Sequence, residues 1–412
     1  MNRLITGYTK SFKGLSPEVW WLALITLVNR AGAMVIPFLS LYLTEDLSFS
    51  LGQVGWIMTC FGLGSFFGSW LGGKLSDRIG YYKVILYSLV GTAIGFFGLQ
   101  YISSFAGICV GFFCLIAVAD ISRPAFFVAL SAYSKPENKT RSLTLIRLAI
   151  NLGFSAGPAL GGLIIAGVGY YGLFWVDGIS CLAAALVLIK TLNPKKTNIT
   201  DMEEILQNPL APHRDFTYVI FLIALALFGF VFVQYFSTMP LYYKEIYGLK
   251  EQEIGLLLGF NGLLIFLFEM PLVTFMEAKK WSQASNVVVG IVFVGLSFPL
   301  YVFTDWGGIL IVGMAFATLG EMIAFPFGNA FALRRSKLGR QGAYMGLYSM
   351  SFSLAHIFGH NSGMQLVAAT GYDTTWLIML GVSILAFVLL FYVRNRMKKE
   401  QFSVSVGSSS GQ

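Results

Sequence analysis

Nine ionisable side chains lie inside stretches of sequence that are otherwise apolar, and their types limit the chemistry open to this chain. Arg30 stands in Val28-Asn29-Arg30-Ala31-Gly32, with no acid in its own stretch. Asp120 and Arg123 are three residues apart, so on a helix they share a face and can pair. Together the three could recognise an anionic group with one acid as partial neutraliser. They could equally form a closed Arg–Asp network that only ties two helices together. Arg147 and Asp177 complete the first half of the chain. In the second half, Glu321 stands in Leu319-Gly320-Glu321-Met322, and Glu269 stands just before Pro271. A carboxyl held away from water can take up and release a proton near neutral pH, as a coupling site must. Glu321 is the first candidate, with Asp120 and Glu269 behind it. His356 and His360 are four residues apart, one helical turn, and histidine titrates where proton coupling happens. No third ligand accompanies them at a sensible spacing, so no metal site is expected. Asn29, Gln234, Tyr235, Asn261 and Asn329 add uncharged polar groups that could contact a substrate.

The elements that must position these residues are membrane helices. The chain has 412 residues, of which 56% are hydrophobic and only 12% charged. Soluble chains carry about twice that charged fraction. A membrane span needs about 20 apolar residues. The hydrophobic runs predict twelve: 17–44, 51–73, 83–101, 104–133, 141–166, 171–192, 216–243, 252–276, 284–303, 307–334, 340–368 and 373–395. A charge inside any of them is costly in hydrocarbon and is a functional hypothesis by default. The longest polar segment, 194–215, divides the chain into a bundle over 1–193 and a second over 216–400. Thr200-Asp201-Met202-Glu203 has the spacing of a capping box, which predicts a short helix within that linker. The Ser/Gly-rich end, 401–412, reads as a disordered tail.

Lysine and arginine placement sets the orientation. The two ends of the chain and the even-numbered loops hold 23 of the 28 basic residues, while the odd-numbered loops hold only Lys244 and Lys250. Both termini are therefore expected in the cytoplasm, and the net charge of +8 reflects topology rather than a nucleic-acid partner. The first apolar run is too long for a cleaved signal and is expected to stay as span 1. Cys60, Cys109, Cys114 and Cys181 fall inside apolar runs without paired spacing, which predicts inert thiols.

Two motifs are more specific. Between spans 2 and 3 the chain reads Gly73-Lys74-Leu75-Ser76-Asp77-Arg78-Ile79-Gly80-Tyr81-Tyr82-Lys83, the pattern G-x-x-x-D-R-x-G-x-x-K. It resembles the loop between helices 2 and 3 of major facilitator superfamily transporters. The corresponding loop of the second half, Glu277-Ala278-Lys279-Lys280, keeps an acid before bases but lacks the glycines. In span 5, Gly153, Gly157, Pro158, Gly161 and Gly162 fit G-x-x-x-G-P-x-x-G-G, similar to the antiporter motif of drug/proton antiporters in that superfamily. Small residues at helical spacing around a proline make a bare face for another helix.

The resemblance implies an all-α membrane protein: twelve transmembrane helices in two pseudo-symmetric six-helix bundles that rock around a central site. Spans 1, 4, 7 and 10 would line it, which places Arg30, Asp120 and Arg123 on one wall and Glu321 on the other. Gly73, Asp77, Arg78 and Gly80 would act as a conformational latch, with Asp77 facing the N-terminus of span 11. The implied function is a proton-coupled secondary transporter, an antiporter exporting a small amphiphilic or drug-like compound. Arginines in one half and acids in the other also suit a zwitterion, as in proton-coupled oligopeptide transporters, although their span 1 signature E-x-x-E-R-F-x-Y-Y is missing and only Arg30 corresponds. A lipid or lysolipid flippase is the third reading. No G-x-x-x-x-G-K-[ST] and no catalytic constellation is present, so neither nucleotide-driven transport nor an enzyme is expected. Expected partners are a small-molecule substrate, protons as coupling ion and the lipid bilayer of the plasma or inner membrane, with the chain a monomer.

Overall fold

The computed structural model describes residues 14–135, 139–195, 210–279, 281–304, 306–339 and 341–409, with the side chains at 77, 139–141, 144, 341–343 and 401–409 left aside. The predicted linker helix at 200–203 lies outside the described residues. All regular elements among the described residues are helical. Spans 2, 3, 5 and 6 are single helices, Leu51–Ile79, Tyr81–Leu99, Lys139–Val168 and Tyr171–Thr191. Spans 8, 9 and 10 are likewise single: Glu251–Ala278, Gln283–Val302 and Ile309–Arg335. Spans 1, 4 and 7 are interrupted. Span 1 consists of Pro17–Ala31, Val35–Leu41 and a π-type turn at Tyr42–Asp46, and span 4 of Phe105–Asp120 and Ser122–Tyr133. Span 7 consists of Phe216–Phe232, Gln234–Ser237 and Met239–Glu245.

Spans 11 and 12 are two helices within Gln341–Ser409 that meet at Gly371, between the expected spans, where the backbone is non-helical with φ 77 and ψ 177. A glycine turns the chain there without a polar loop. With these two taken as one, eleven helical stretches among the described residues are long and apolar enough to cross a membrane, the last of them long enough for two crossings. The second of the two helices continues past Glu400 to Ser409, into the segment expected to be a disordered tail, where Gln401–Val406 contains no glycine or proline to stop it.

The chain forms two compact units: Met1–Thr200 with Pro240–Phe266, and Asp201–Met239 with Leu267–Gln412. The division drawn at the linker therefore differs by one segment, 240–266, which packs in the first unit. In that unit, Val19, Leu22, Ile25, Val84, Ala125 and Ala184 build a core shared by spans 1, 3, 4 and 6. In the second unit, Arg335 at the end of span 10 bonds Asp215 at the start of span 7, Nη2 to Oδ1 at 2.8 Å, and Glu400 at 2.7 Å. Tyr344 donates to the same aspartate at 3.2 Å. Asp215 also caps span 7 by accepting from the Tyr218 N–H. A buried carboxylate is tolerated because each of its oxygens is bonded and its charge is paired.

Candidate functional site

The interruption of span 1 positions Arg30. The first helix ends at Ala31 and the second begins at Val35, so the second helix has unbonded N–H groups within the bundle. Asp177 of span 6 satisfies two of them: Met34 and Val35 donate to its two oxygens at 2.9 and 3.0 Å. At 1% exposure its carboxylate is removed from water, and the partial positive charge of the helix start offsets that burial. Gly32 makes room for this approach, since a Cβ there would fall 1.8 Å from Ser180 Oγ. Asn29 donates to Cys181 Sγ at 3.4 Å, a third tie to span 6. On the other side, Gly153 of span 5 lies so close that a Cβ would fall 2.5 Å from Arg30 Cβ. The Arg30 guanidinium lies over the Phe154 ring, 5.6 Å from its centroid, a cation–π geometry. Asp177 was visible in the sequence as an acid inside an apolar run, but nothing there connected it to span 1.

Span 4 breaks directly after Asp120, which is bonded through both oxygens. Arg123 Nε reaches Oδ1 at 2.7 Å, and the Ser65 hydroxyl of span 2 donates to Oδ2. Arg123 remains half exposed while Asp120 is buried. Arg30 lies within electrostatic reach of both. One aspartate among two arginines leaves a positive charge over, so the group can hold an anionic substituent through planar N–H donors. The predicted Asp120–Arg123 pair is therefore formed, and it also includes a serine that the sequence did not single out.

The span 5 motif has two working faces. Gly153, Gly157 and Gly161 lie on span 1; a Cβ at Gly157 would be 3.3 Å from Ala31 O, and one at Gly161 3.0 Å from Phe38. Gly162 turns to span 8, where its Cβ would fall 2.4 Å from Glu251 O. Span 8 answers with its own bare positions: Gly255 sits against Pro158 O and Gly262 against Ser155. Ser155 donates to Gly259 O at 3.0 Å. Beyond this seam, Lys244 contacts Glu45 at 3.4 Å and pairs with Glu251, and Tyr170 donates to Glu45 at 2.9 Å. Burial and the neighbouring Glu45 push the Tyr170 phenol above its ordinary pKa, so it stays a donor. This cluster was not among the sequence-predicted site residues. Its signal was Lys244, one of two basic residues in the odd-numbered loops.

In the second unit, Gln234 is fully buried. Its amide donates to Gly359 O at 2.8 Å and Phe230 O at 3.0 Å, and accepts from Thr238 at 2.6 Å. Gly363 clears the space for it. Tyr235, also buried, donates to Ser297 of span 9. Both predicted substrate contacts thus brace the interruption of span 7 against spans 11 and 9. His356 Nδ1 and His360 Nε2 are 3.0 Å apart, a bond that needs one of the two nitrogens bare. Glu321 and His356 are half-buried, Glu269 is buried, and Asn329 is exposed. Asn261, on the part of span 8 that packs in the first unit, is buried.

Of the latch residues, Gly80 has φ 84 and forms the junction between spans 2 and 3, a conformation that favours glycine. Arg78 is exposed, and the Asp77 side chain lies outside the description. Nothing lies within 4 Å of the Cβ position of Gly73. Close approach in span 2 is made instead by Gly64, Gly68 and Gly72.

Comparison with known proteins agrees with this architecture. The profile of the Major Facilitator Superfamily matches residues 22–360 and 287–407. A Na(+), Li(+), K(+)/H(+) antiporter of Planococcus maritimus is 22% identical, over 88% of this chain and 92% of its own. Multidrug resistance protein MdtH of Aeromonas hydrophila is 24% identical, over 84% and 87%. Among solved structures, a POT family transporter in complex with 5-aminolevulinic acid superposes with TM-score 0.79 at 16% identity, covering 93% of this chain and 97% of that one.

Proposed function

Because this chain belongs to the Major Facilitator Superfamily of membrane transporters, we propose that it is a proton-coupled secondary transporter that exports a small amphiphilic or drug-like compound by alternating access. The observation that carries the export reading is span 5, whose Gly153–Gly162 segment has the antiporter pattern and presents bare faces to both span 1 and span 8. Relatives named as a multidrug resistance protein and a cation/proton antiporter support it. In this reading protons are carried by Glu321, by His356 with its partner His360, and by Asp120, with Glu269 assisting. Arg30 and Arg123 hold the polar end of the substrate, with Asn29, Asn261 and Asn329 among its further contacts. The protein acts as a monomer in the plasma or inner membrane, with both termini in the cytoplasm.

A second reading, symport of a zwitterion such as a short peptide, is favoured by the positive charge left over at Arg30, Asp120 and Arg123. One assay separates the two, and tests lipid flipping as well. The protein is reconstituted in liposomes, a proton gradient is imposed, and cationic dyes, dipeptides and fluorescent lysolipids are screened for gradient-dependent flux. Dye flux that collapses with the gradient is expected; dipeptide accumulation without dye flux would replace export with symport. Glu321→Gln should abolish gradient-driven accumulation while sparing exchange, and unchanged accumulation removes Glu321 from the coupling path.

A further inference from the structure

Spans 2 and 4 meet along a single register. Cβ atoms built at Gly64, Gly68 and Gly72 fall 2.4, 2.2 and 2.2 Å from the carbonyl oxygens of Phe113, Ala117 and Ile121. Each partner follows its glycine by the same number of residues, so the two helices run in the same direction and stay in step over two turns. One turn nearer their starts, that register pairs Cys60 with Cys109. The two side chains are neighbours there. Both are half-buried and free, whereas Cys114 is exposed and Cys181 is buried elsewhere, beside Asn29. A disulfide requires Cα atoms about 4.4–6.8 Å apart with their Cβ vectors converging. Backbones that nearly touch at three successive glycines, with the two cysteines opposed one turn on, bring the pair toward that geometry.

We propose that Cys60 and Cys109 are a disulfide-forming dithiol, a redox-modification site that clamps span 2 to span 4 on the seam that also carries Ser65 and Asp120. The oxidant is a small neutral peroxide, because apolar surroundings exclude charged oxidants. One thiol sulfur attacks hydrogen peroxide: an S–O bond forms, the O–O bond breaks, and the leaving hydroxide takes up that thiol's proton as water. The partner sulfur then displaces the hydroxyl of the sulfenic acid: the S–S bond forms, the S–O bond breaks, and the second thiol's proton leaves with it as water. Two thiols and one peroxide become one disulfide and two waters, each sulfur giving up one electron. Both cysteines lie within the first unit, so the clamp fixes one bundle internally.

The test uses the full-length protein in lipid nanodiscs. It is treated with hydrogen peroxide, quenched with catalase, unfolded, alkylated and mapped by mass spectrometry. The expected result is joint loss of alkylation at Cys60 and Cys109, a linked peptide joining them, and recovery of both on reduction, while Cys114 and Cys181 alkylate as before. Cys60→Ser should leave Cys109 without a linked peptide. Continued alkylation of both cysteines, or oxidation that falls on Cys114 first, would overturn the proposal. The wild-type map decides by itself, so a variant that fails to fold does not leave the question open.

Discussion

The turn joining span 1 to span 2 and the turn joining span 7 to span 8 share one backbone pattern, although the first is entered through a π-type turn at Tyr42–Asp46 and the second through the α-helix Met239–Glu245. Leu41-Tyr42 and Leu241-Tyr242 enter them, and Gln53-Val54-Gly55 and Glu253-Ile254-Gly255 leave them, each pair 200 residues apart. Phe49 donates to Leu43 O at 2.9 Å and Leu249 to Tyr243 O at 3.1 Å. The Gln53 side chain accepts from the Ser50 N–H at 3.0 Å, and that of Glu253 from the Lys250 N–H at 2.8 Å. Ser48 and Gly248 hold the same left-handed position, with φ 55 and 64. The side chains diverge. Thr44 uses its hydroxyl on the Ser40 and Leu41 carbonyls, while Lys244, at the matching place, joins Glu45 to Glu251. Backbone geometry needs only one positive-φ residue and a capping side chain. The remaining positions are free to specialise, and the second copy has taken on the charge that fastens both turns together.

The comparison breaks most completely at Gly255. A Cβ there would fall 2.4 Å from Pro158 O and 3.2 Å from Phe38 Cζ, and a backbone carbonyl cannot turn aside. Gly255→Leu should destabilise the protein by about 3 kcal/mol, the upper range for an overpacked site. Fluorescence-detected thermal melting in detergent would show it as a lowered Tm. Gly167→Leu, at a position where a Cβ meets nothing within 4 Å, serves as the control and should melt as wild type. Equal melting of the two variants would mean that the seam between spans 5 and 8 is open in the resting protein.

This repeat is legible in the sequence, although not at the charged loop motif. The charged motif at Gly73–Lys83 directs attention to the loop between spans 8 and 9, where the glycines are missing, whereas the fold repeats at turns whose motif is mostly apolar. The spans themselves were readable because hydrophobic length is a direct requirement of the bilayer. Glycine spacing in span 5 was equally plain; which glycine meets span 1 and which meets span 8 was not, because a helical face has no partner until the other helix is placed. The interruption of span 1 falls just before Pro37, which has no N–H to bond Ala33 O, so a bend there was readable. Its cap, Asp177, lies 143 residues from Met34 and was not. Gln234 and Tyr235 looked like substrate contacts because lipid should exclude them. That argument cannot tell a cavity from a helix–helix bond, and the structure gives both residues partners in the bundle.

Lys244 sharpens the comparison at moderate cost. Its side chain is 30% exposed, with Glu45 33% and Glu251 18% exposed, so solvent screens the cluster. Lys244→Met should therefore cost about 1 kcal/mol, the upper end for ion pairs of this kind. The loss should shrink at high salt, where the repulsion left between Glu45 and Glu251 is screened. Thermal melts at low and high salt would show this as two different Tm shifts. A salt-independent shift would mean that the lysine stem packs rather than its charge.

The smallest effect tests whether the two backbones are truly equivalent. A β-carbon in the left-handed region costs about 1–2 kcal/mol, and glycine gives back about 0.4–1 kcal/mol of that through a freer unfolded chain. Ser48→Gly should therefore stabilise the protein by about 0.5 kcal/mol, and Gly248→Ser should destabilise it by about the same amount, the difference of those two terms. The double variant, which exchanges the residues of the two turns, should melt with the wild type. Paired thermal melts of the three variants check all of this at once. Equal and opposite shifts require that the two positions differ in nothing but the residue placed there. If Ser48→Gly lowers the Tm instead, the first turn relies on its hydroxyl, and the specialisation seen at Lys244 has a counterpart in the copy that appeared to carry only backbone.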